Sequence, residues 1–261
     1  MKVVMISIGM ASPLHLSLEL SRRLVAAGHR VTYVSQADIE ASVRAHGHDF
    51  VRLSDPPEAP EPPRWSDLLG RPGRFVRRLR ARRHHRRASI LDDEIEQVVR
   101  RLAPDRLVLD IEMHVPLLKL FHCGIPIVLT MAFFSVYRRP GLPPLHTPLP
   151  PATSWLGRRR IDLAWWRLRL ETLHFEQRQR WARWRRAAFF PPVPVDSFSI
   201  DDLREVARSR GVDLRRETSR RDWLRPLVVR RLPVLCLNLR EMDWPQTPPA
   251  NLTYVGPMVH R

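Results

Sequence analysis

Three short segments place polar, aromatic or reactive side chains directly after predicted buried strands. They are residues 9–13, 110–114 and 130–137. In an open parallel sheet, ligands bind in the crevice beyond the carboxyl ends of the strands. These segments are therefore the candidate ligand-binding residues of the chain.

The first of these turns lacks the motifs that would bind a nucleotide there. Gly9 stands alone where a nicotinamide-binding turn needs G-x-G-x-x-G, and the sequence contains no phosphate-binding G-x-x-x-x-G-K-[ST] loop. The two cysteines, Cys123 and Cys236, lie 113 positions apart and show no metal-ligand spacing. No resident metal is expected.

The N-terminal part of the chain alternates β-rich segments with amphipathic helices. Strands are predicted at 2–8, 29–34 and 49–53, and Ser12 is predicted to cap the first helix with Pro13 in its first turn. Strands joined by single helices require right-handed parallel crossovers. The pattern therefore predicts an α/β fold, a doubly wound and mostly parallel sheet with helices on both faces.

The same alternation returns after a proline-rich and acidic loop. The further predicted helices lie at 90–102, 114–122, about 158–188 and 200–210. The further predicted strands lie at 106–110, 125–130, 234–239 and 252–255. We expect one domain over 1–261, with an insertion of basic, tryptophan-rich helices at about 140–232.

Several motifs, taken in order, resemble those of family 1 glycosyltransferases. Residues 9–14 and 27–34, separated by a helix, resemble the family's G-H-x-x-P and G-H-x-V-T motifs. Residues 104–110 resemble the family's fourth strand and the turn before it, and residues 124–126 resemble the segment that leads into the next strand. Residues 251–257 are similar to the Y-V-G-P motif that closes the family's N-terminal domain.

The resemblance implies the N-terminal half of a GT-B enzyme, a Rossmann-like domain that binds the acceptor. It implies transfer of a hexose, with inversion and without a metal, to a hydrophobic small-molecule or lipid acceptor. The nucleotide-sugar donor, a UDP- or dTDP-hexose, would be held mainly by a C-terminal domain absent from 1–261, present in cis or as a separate subunit. This chain alone is therefore expected to hold no cofactor and to be inactive.

The family's mechanism implies roles for particular residues. A base takes the proton of the acceptor hydroxyl, usually the histidine of G-H-x-x-P oriented by an aspartate after the fourth strand. Asp110 matches that aspartate, but Met10 stands in the histidine position and cannot accept a proton. Either His15 replaces the histidine, or Asp110 acts directly, or catalysis has been lost.

The acceptor is expected to bind in the same crevice. The predicted acceptor-binding residues are Met10, Ser12, His114, Phe133, Phe134 and Tyr137. Several of the candidate site residues have a structural alternative. Asp110 could cap the next helix, and His15 could be a solvent-exposed or capping histidine. His114 could hold the Asp110 carboxylate, and the aromatic residues could belong to the core.

Positive charge is concentrated in two segments of this chain of net charge +17. Residues 71–87 contain nine arginines, and the helix at 158–188 places leucine and tryptophan on one face and arginines on another. Such a helix can lie in the interface of an anionic membrane. The predicted membrane-contact residues are Arg77, Arg78, Arg82, Arg83, Trp166 and Trp184.

Other interpretations of the basic segments remain open. The tryptophan-bearing helix could pack on its own domain with a solvated basic face. Arginines interleaved with aromatic residues can also bind nucleic acid, but no helix-turn-helix, RRM or zinc-finger signature occurs, so no specific nucleic-acid partner is expected. A non-catalytic lipid- or glycolipid-binding module would explain Met10. We expect a cytoplasmic protein, peripheral on the inner face of the membrane.

Overall fold

A computed structural model describes residues 1–55, 57–58, 60–61, 65–133, 138–144, 147–189, 200–218, 229–243 and 247–258. The strands in these ranges are β1 (Lys2–Ile6), β2 (Arg30–Ser35), β3 (Asp49–Arg52), β4 (Arg106–Asp110), β5 (Ile127–Met131), β6 (Val234–Cys236) and β7 (Leu252–Tyr254). The α-helices are α1 (Ala11–Ala26), α2 (Glu40–Ala45), α3 (Trp65–Gly70), α4 (Pro72–Leu91), α5 (Glu94–Leu102), α6 (His114–Leu120), α7 (Trp155–Phe189), α8 (Ile200–Ser209) and α9 (Leu214–Glu217).

The strands of the described residues form one parallel sheet in the order β3-β2-β1-β4-β5-β6-β7. Val4 in the middle of β1 pairs with Thr32 of β2 on one side and with Leu107 of β4 on the other. The strand order reverses at this point, between β1 and β4. The predicted doubly wound parallel sheet is confirmed.

Alternate residues of β1 enter two different apolar clusters. Val4 and Ile6 pack in a cluster that includes residues of α5 and α6. Val3 and Met5 pack in another, which includes residues of α1 and α2. Because successive side chains of a strand point to opposite faces, the sheet is covered by helices on both sides. This explains why the central strands are apolar throughout.

Helix α1 begins differently from the prediction. Its N-cap residue is Met10, whose side chain makes no capping hydrogen bond, and Ser12 is the second helical residue rather than the cap. Pro13 is tolerated because the first N–H groups of a helix have no acceptor within it. The first intrahelical bond is donated by the Leu14 N–H to the Met10 carbonyl, at 3.1 Å.

The arginine run at 71–87 lies within helix α4. The helix predicted at 90–102 is divided, because α4 ends at Leu91 and α5 begins only at Glu94. Apolar periodicity could not reveal α4, since most of its residues are arginine, histidine or alanine. Lys119, buried in α6, forms an ion pair with Asp92 in the break between the two helices, at 2.8 Å.

The predicted insertion falls between two neighbouring strands, since β5 pairs with β6. It contains α7, a helix of 35 residues, and α8, whose apolar side packs on residues of α4 and α6. Trp165 of α7 is buried and its indole N–H donates to the carbonyl of Leu142, at 2.7 Å. None of the described helices is both long and apolar enough to cross a bilayer.

Candidate functional site

The loops that follow β1 and β4 start side by side at the carboxyl edge of the sheet. Ile6, the last residue of β1, pairs with Leu109, and Asp110 ends β4 one residue later. Residues 7–10 lead from β1 into α1, and residues 111–113 lead from β4 into α6. The strand order reverses here, which is where an open α/β sheet leaves a crevice for a ligand.

Gly9 is required by the packing of this edge. A Cβ built on Gly9 would lie 2.2 Å from the Cβ of Ala37, in the segment that follows β2. Such a separation is far inside van der Waals contact, so only glycine allows the two loops to approach. The lone glycine of the first turn therefore has a structural role in bringing neighbouring loops together.

Asp110 is buried, with 7% of its surface exposed, at the end of β4. Its Oδ1 accepts a hydrogen bond from the Glu112 N–H at 2.8 Å, and its carbonyl accepts one from the Met113 N–H at 2.9 Å. The N-cap of α6 is Met113, without a side-chain cap. Asp110 therefore shapes the turn before α6 rather than capping that helix, and the turn fixes the orientation of its carboxylate.

The candidates on α1 lie at its exposed start. Met10, at the position where the resemblance implies a histidine, is 57% exposed. Ser12 and His15 are also exposed, whereas Leu14 and Leu18 of the same helix face the core. The structure thus places Met10 and Ser12 at the rim of the crevice, with His15 about one turn further along.

The remaining acceptor candidates follow β4 and β5. His114 is the first residue of α6 and is partly buried. Phe133 is partly buried against the apolar cluster that contains Met131, and its carbonyl accepts a hydrogen bond from the Cys236 thiol at 3.6 Å. Contact with the core is the structural alternative that the sequence left open for Phe133. Phe134 and Tyr137 lie outside the described residues.

The predicted membrane-contact residues occupy different environments. Arg77, Arg83 and Trp166 are exposed. Arg78 is partly buried and forms ion pairs with Asp67 at 2.7 Å and Glu61 at 2.8 Å. Arg82 is also partly buried, and burial lowers the pKa of its guanidinium. The side chain of Trp184 lies outside the described residues.

A buried polar cluster that sequence reasoning missed joins the start of the insertion to the last strand. The Arg139 guanidinium lies 3.3 Å from the Asp243 carboxylate, and both side chains are buried. The Tyr254 hydroxyl donates to the same carboxylate. Burial, together with that hydrogen bond, raises the pKa of Tyr254 to about 12. No signal in the sequence links residues 104 positions apart.

The Tyr-Val-Gly-Pro motif also has a packing role. A Cβ on Gly256 would lie 2.2 Å from the carbonyl oxygen of Leu237, just past β6. The following residue, Pro257, accepts a hydrogen bond through its carbonyl from the Arg23 guanidinium of α1, at 3.1 Å. The glycine thus lets the segment after β7 pass directly over the end of β6.

Two cavities lined by described residues lie away from this crevice. One, of about 400 Å³, opens at the amino ends of β1 to β3 beside Lys2, Arg30 and Asp49. The other, of about 410 Å³, is lined by residues that follow β6 and by β7, among them Leu239 and Tyr254. Across the described part of the chain, no group of three or more histidine, cysteine or acidic residues could hold a metal ion.

The sequence matches no protein-family profile and no curated protein. Solved structures do resemble it. The glycosyltransferase of kitacinnamycin is 19% identical, with 98% of this chain and 51% of that chain covered and a TM-score of 0.52. CalG4, the calicheamicin glycosyltransferase, is 16% identical, with 98% and 52% covered and a TM-score of 0.49. VinC, solved in complex with dTDP, is 15% identical, with 96% and 52% covered and a TM-score of 0.46.

The chain spans about half the length of these solved structures. The likeness to the first of them, over nearly the whole of this chain, establishes the fold. Together with the sheet order, it shows a Rossmann-like domain of the GT-B fold, in agreement with the expectation from the sequence motifs.

Proposed function

We propose that this chain is the acceptor-binding half of a glycosyltransferase, which transfers a hexose from a nucleotide sugar to a hydrophobic small-molecule or lipid acceptor. The observation that carries the proposal is the position of Asp110. Its carboxylate is oriented by a turn at the carboxyl end of β4, beside the loop that follows β1. The GT-B fold and the order of the sequence motifs support the same function.

The proposed reaction is a direct displacement at the anomeric carbon. The acceptor oxygen forms a bond to that carbon, the bond from the carbon to the nucleotide diphosphate breaks, and the configuration is inverted. The hydroxyl proton passes to a base on this chain. Asp110 suits that role because its orientation is fixed, and His15 is the alternative because it is exposed near the rim.

The donor would be a UDP- or dTDP-hexose, bound mainly by the C-terminal domain of the GT-B fold. This chain's part would be to bind the acceptor and to take its proton. The exposed Met10 and Ser12 would contact the acceptor, with His114 behind them. Phe133, Phe134 and Tyr137 follow β5 in the sequence and would complete the apolar side of the site.

The test is an activity assay on the full-length gene product, with a panel of nucleotide-hexoses and lipophilic aglycones and mass spectrometry of the products. Asp110→Asn is expected to lower kcat by roughly 10²–10⁴-fold, because the variant keeps the shape of the side chain but cannot accept the proton. Asp105→Asn is the matched control, since Asp105 precedes β4 at the opposite edge of the sheet. A wild-type rate for Asp110→Asn would overturn the proposed role.

A second candidate function is a non-catalytic lipid- or glycolipid-binding module that keeps the acceptor fold. The observation in its favour is Met10, which is exposed where a proton-accepting histidine is implied. If this second function is the true one, calorimetry should show that the aglycone binds, and no nucleotide-hexose of the panel should give a product. Met10→His separates the two functions, because it should raise the transfer rate only if the crevice retains a catalytic arrangement.

A further inference from the structure

The outer side of helix α7 carries an apolar stripe that no described residue covers. Its members are exposed by 44–66%. They are Leu156, Leu163, Trp166, Leu170 and Leu173. Steps of seven, three, four and three residues place them on one face of the helix. Ile161 and Trp165, which are buried, lie on the opposite face. The stripe is therefore not the side by which α7 packs on the domain.

Arginines flank this stripe on both sides. Arg160 and Arg167 lie along one edge of the helix and Arg169 along the other, at positions about 60–100° from the stripe by helical geometry. All three side chains are exposed, and Arg167 also forms an exposed ion pair with Glu171 of the same helix at 3.0 Å. An apolar stripe bordered by long cationic side chains is the arrangement in which arginine reaches outward to anions while leucine and tryptophan enter an apolar phase.

Helix α4, which packs against α7, is the second source of positive charge on this side of the domain. It contains eight arginines and no acidic residue. Some of these arginines are engaged, such as Arg87 with Glu205 at 2.8 Å. Arg77, Arg80 and Arg83 recur at three-residue steps, are exposed, and have no acidic partner among the described residues.

We propose that the outer stripe of α7, together with Arg77, Arg80 and Arg83 of α4, binds the interface of an anionic membrane. The tryptophan and leucines would lie at the boundary of headgroups and acyl chains, with the arginines against lipid phosphates. An anionic membrane is favoured over a second copy of this chain as the binding partner, because a dimer formed through this face would bring the arginine-rich edges of two helices together. The proposal rests on the exposed surface of α4 and α7 and does not depend on glycosyl transfer.

The test is co-sedimentation of the 261-residue chain with vesicles of phosphatidylcholine alone or with 30% phosphatidylglycerol, over a range of salt concentrations. Binding is expected only with the anionic lipid. The triple variant Arg77→Gln/Arg80→Gln/Arg83→Gln should lower the partition coefficient about five-fold per arginine at low salt. The double variant Trp166→Ala/Leu170→Ser should lower it at least ten-fold, and this decrease should persist in high salt, which does not screen apolar contacts.

The matched control is Leu69→Ser/Met242→Ser, which removes two exposed apolar side chains outside α7. It should bind like the wild type. Circular dichroism should give equal thermal stability for all variants, because every substituted side chain is exposed. Absence of lipid binding, or binding unaffected by the Trp166 and Leu170 substitutions, would overturn the proposal. The proposal would also be overturned if sedimentation velocity showed a dimer that only the Trp166→Ala/Leu170→Ser variant dissociates. It would likewise be overturned if RNA of matched charge displaced the protein from vesicles as well as anionic lipid does.

Discussion

At the scale of single residues, Tyr33 couples the first helix to the second strand. Its side chain is fully buried, and its hydroxyl lies 2.7 Å from the Ser21 hydroxyl and donates to the Ser17 hydroxyl at 3.2 Å. Burial raises the pKa of Tyr33 to about 12. The folded state therefore holds this proton more tightly than the unfolded chain, in which the phenol titrates near pH 10.

Tyr33→Phe should lower the free energy of unfolding by about 1 kcal/mol at pH 7, since it removes hydrogen bonds to two buried serines. The wild type should then lose up to about 2–3 kcal/mol as the pH rises from 10 to 12, because unfolding releases the proton. Phenylalanine has no such proton. The difference in the free energy of unfolding between the wild type and Tyr33→Phe should therefore shrink above pH 10 and then reverse in sign. Urea denaturation of both proteins at pH 7, 9 and 11 measures this, and a constant difference would contradict it.

The position of Asp110 could be predicted from the sequence, but its contacts could not. An apolar run ending in aspartate indicates a strand end, and the parallel pattern places that end beside the loop after β1. The hydrogen bond from the Glu112 N–H depends on the exact turn, which many sequences can form. The Arg139–Asp243 pair depends on folding of the whole insertion and carries no local signal.

At the scale of elements, the close approach of the loops after β1 and β2 predicts a cost for any side chain at Gly9. Gly9→Ala should lower the free energy of unfolding by about 1–3 kcal/mol, as overpacking does in a well-packed region. The measurement is urea denaturation. Gly73→Ala in α4 is the matched control and should be neutral or slightly stabilising, because nothing lies within 4 Å of its Cβ position.

The partner of Gly9 provides a second check. The new methyl group at position 9 would meet the Cβ of Ala37, so Gly9→Ala/Ala37→Gly should recover part of the lost stability. If the two substitutions instead add independently, the contact between these loops does not explain the requirement for glycine.

The elements that could be predicted are those with a clear apolar pattern. The seven described strands are short apolar or β-rich runs, helices α1 and α5 have a helical apolar period, and the observed bounds of these elements differ from the predicted ones by a few residues. Helix α4 has no such period, because its sequence is dominated by arginine and histidine. Helix α4 is held in place by packing against α3, α7 and α8, and the sequence of the helix alone cannot reveal these contacts.

At the scale of the whole molecule, the Arg139–Asp243 ion pair links the start of the insertion to the segment between β6 and β7. Asp243→Asn should lower the free energy of unfolding by about 3–5 kcal/mol, because it leaves the buried Arg139 charge without its acid. Asp162→Asn is the control. Asp162 forms an exposed ion pair with Arg138, the residue that precedes Arg139 in the sequence. The loss of this pair should lower the free energy of unfolding by no more than about 1 kcal/mol. Equal effects in chemical denaturation would show that burial of the first pair is unimportant.

The double variant Arg139→Met/Asp243→Leu should be less destabilised than Asp243→Asn, since it removes both charges and fills the site with apolar atoms. Tyr254 would then lose both the carboxylate that raises its pKa and the guanidinium that lowers it. Because the carboxylate has the larger effect, the absorbance of Tyr254 at alkaline pH should titrate somewhat closer to pH 10. An unchanged titration would mean that the effects of the two removed groups cancel and that burial sets this pKa.

The adjacency of β5 and β6 has an evolutionary consequence. The chain leaves the sheet at Met131 and returns to it at Val234, the first residue of the neighbouring parallel strand, which pairs with Leu129 two residues before Met131. The free-energy cost of closing such a loop grows only slowly, by about 0.6 kcal/mol for each doubling of its length. The closure cost therefore leaves the length of this crossover free to vary, provided that Ile161 and Trp165 of α7 keep their buried positions. Natural selection can lengthen or shorten the crossover beyond these residues while the sheet edge that carries Asp110 stays the same.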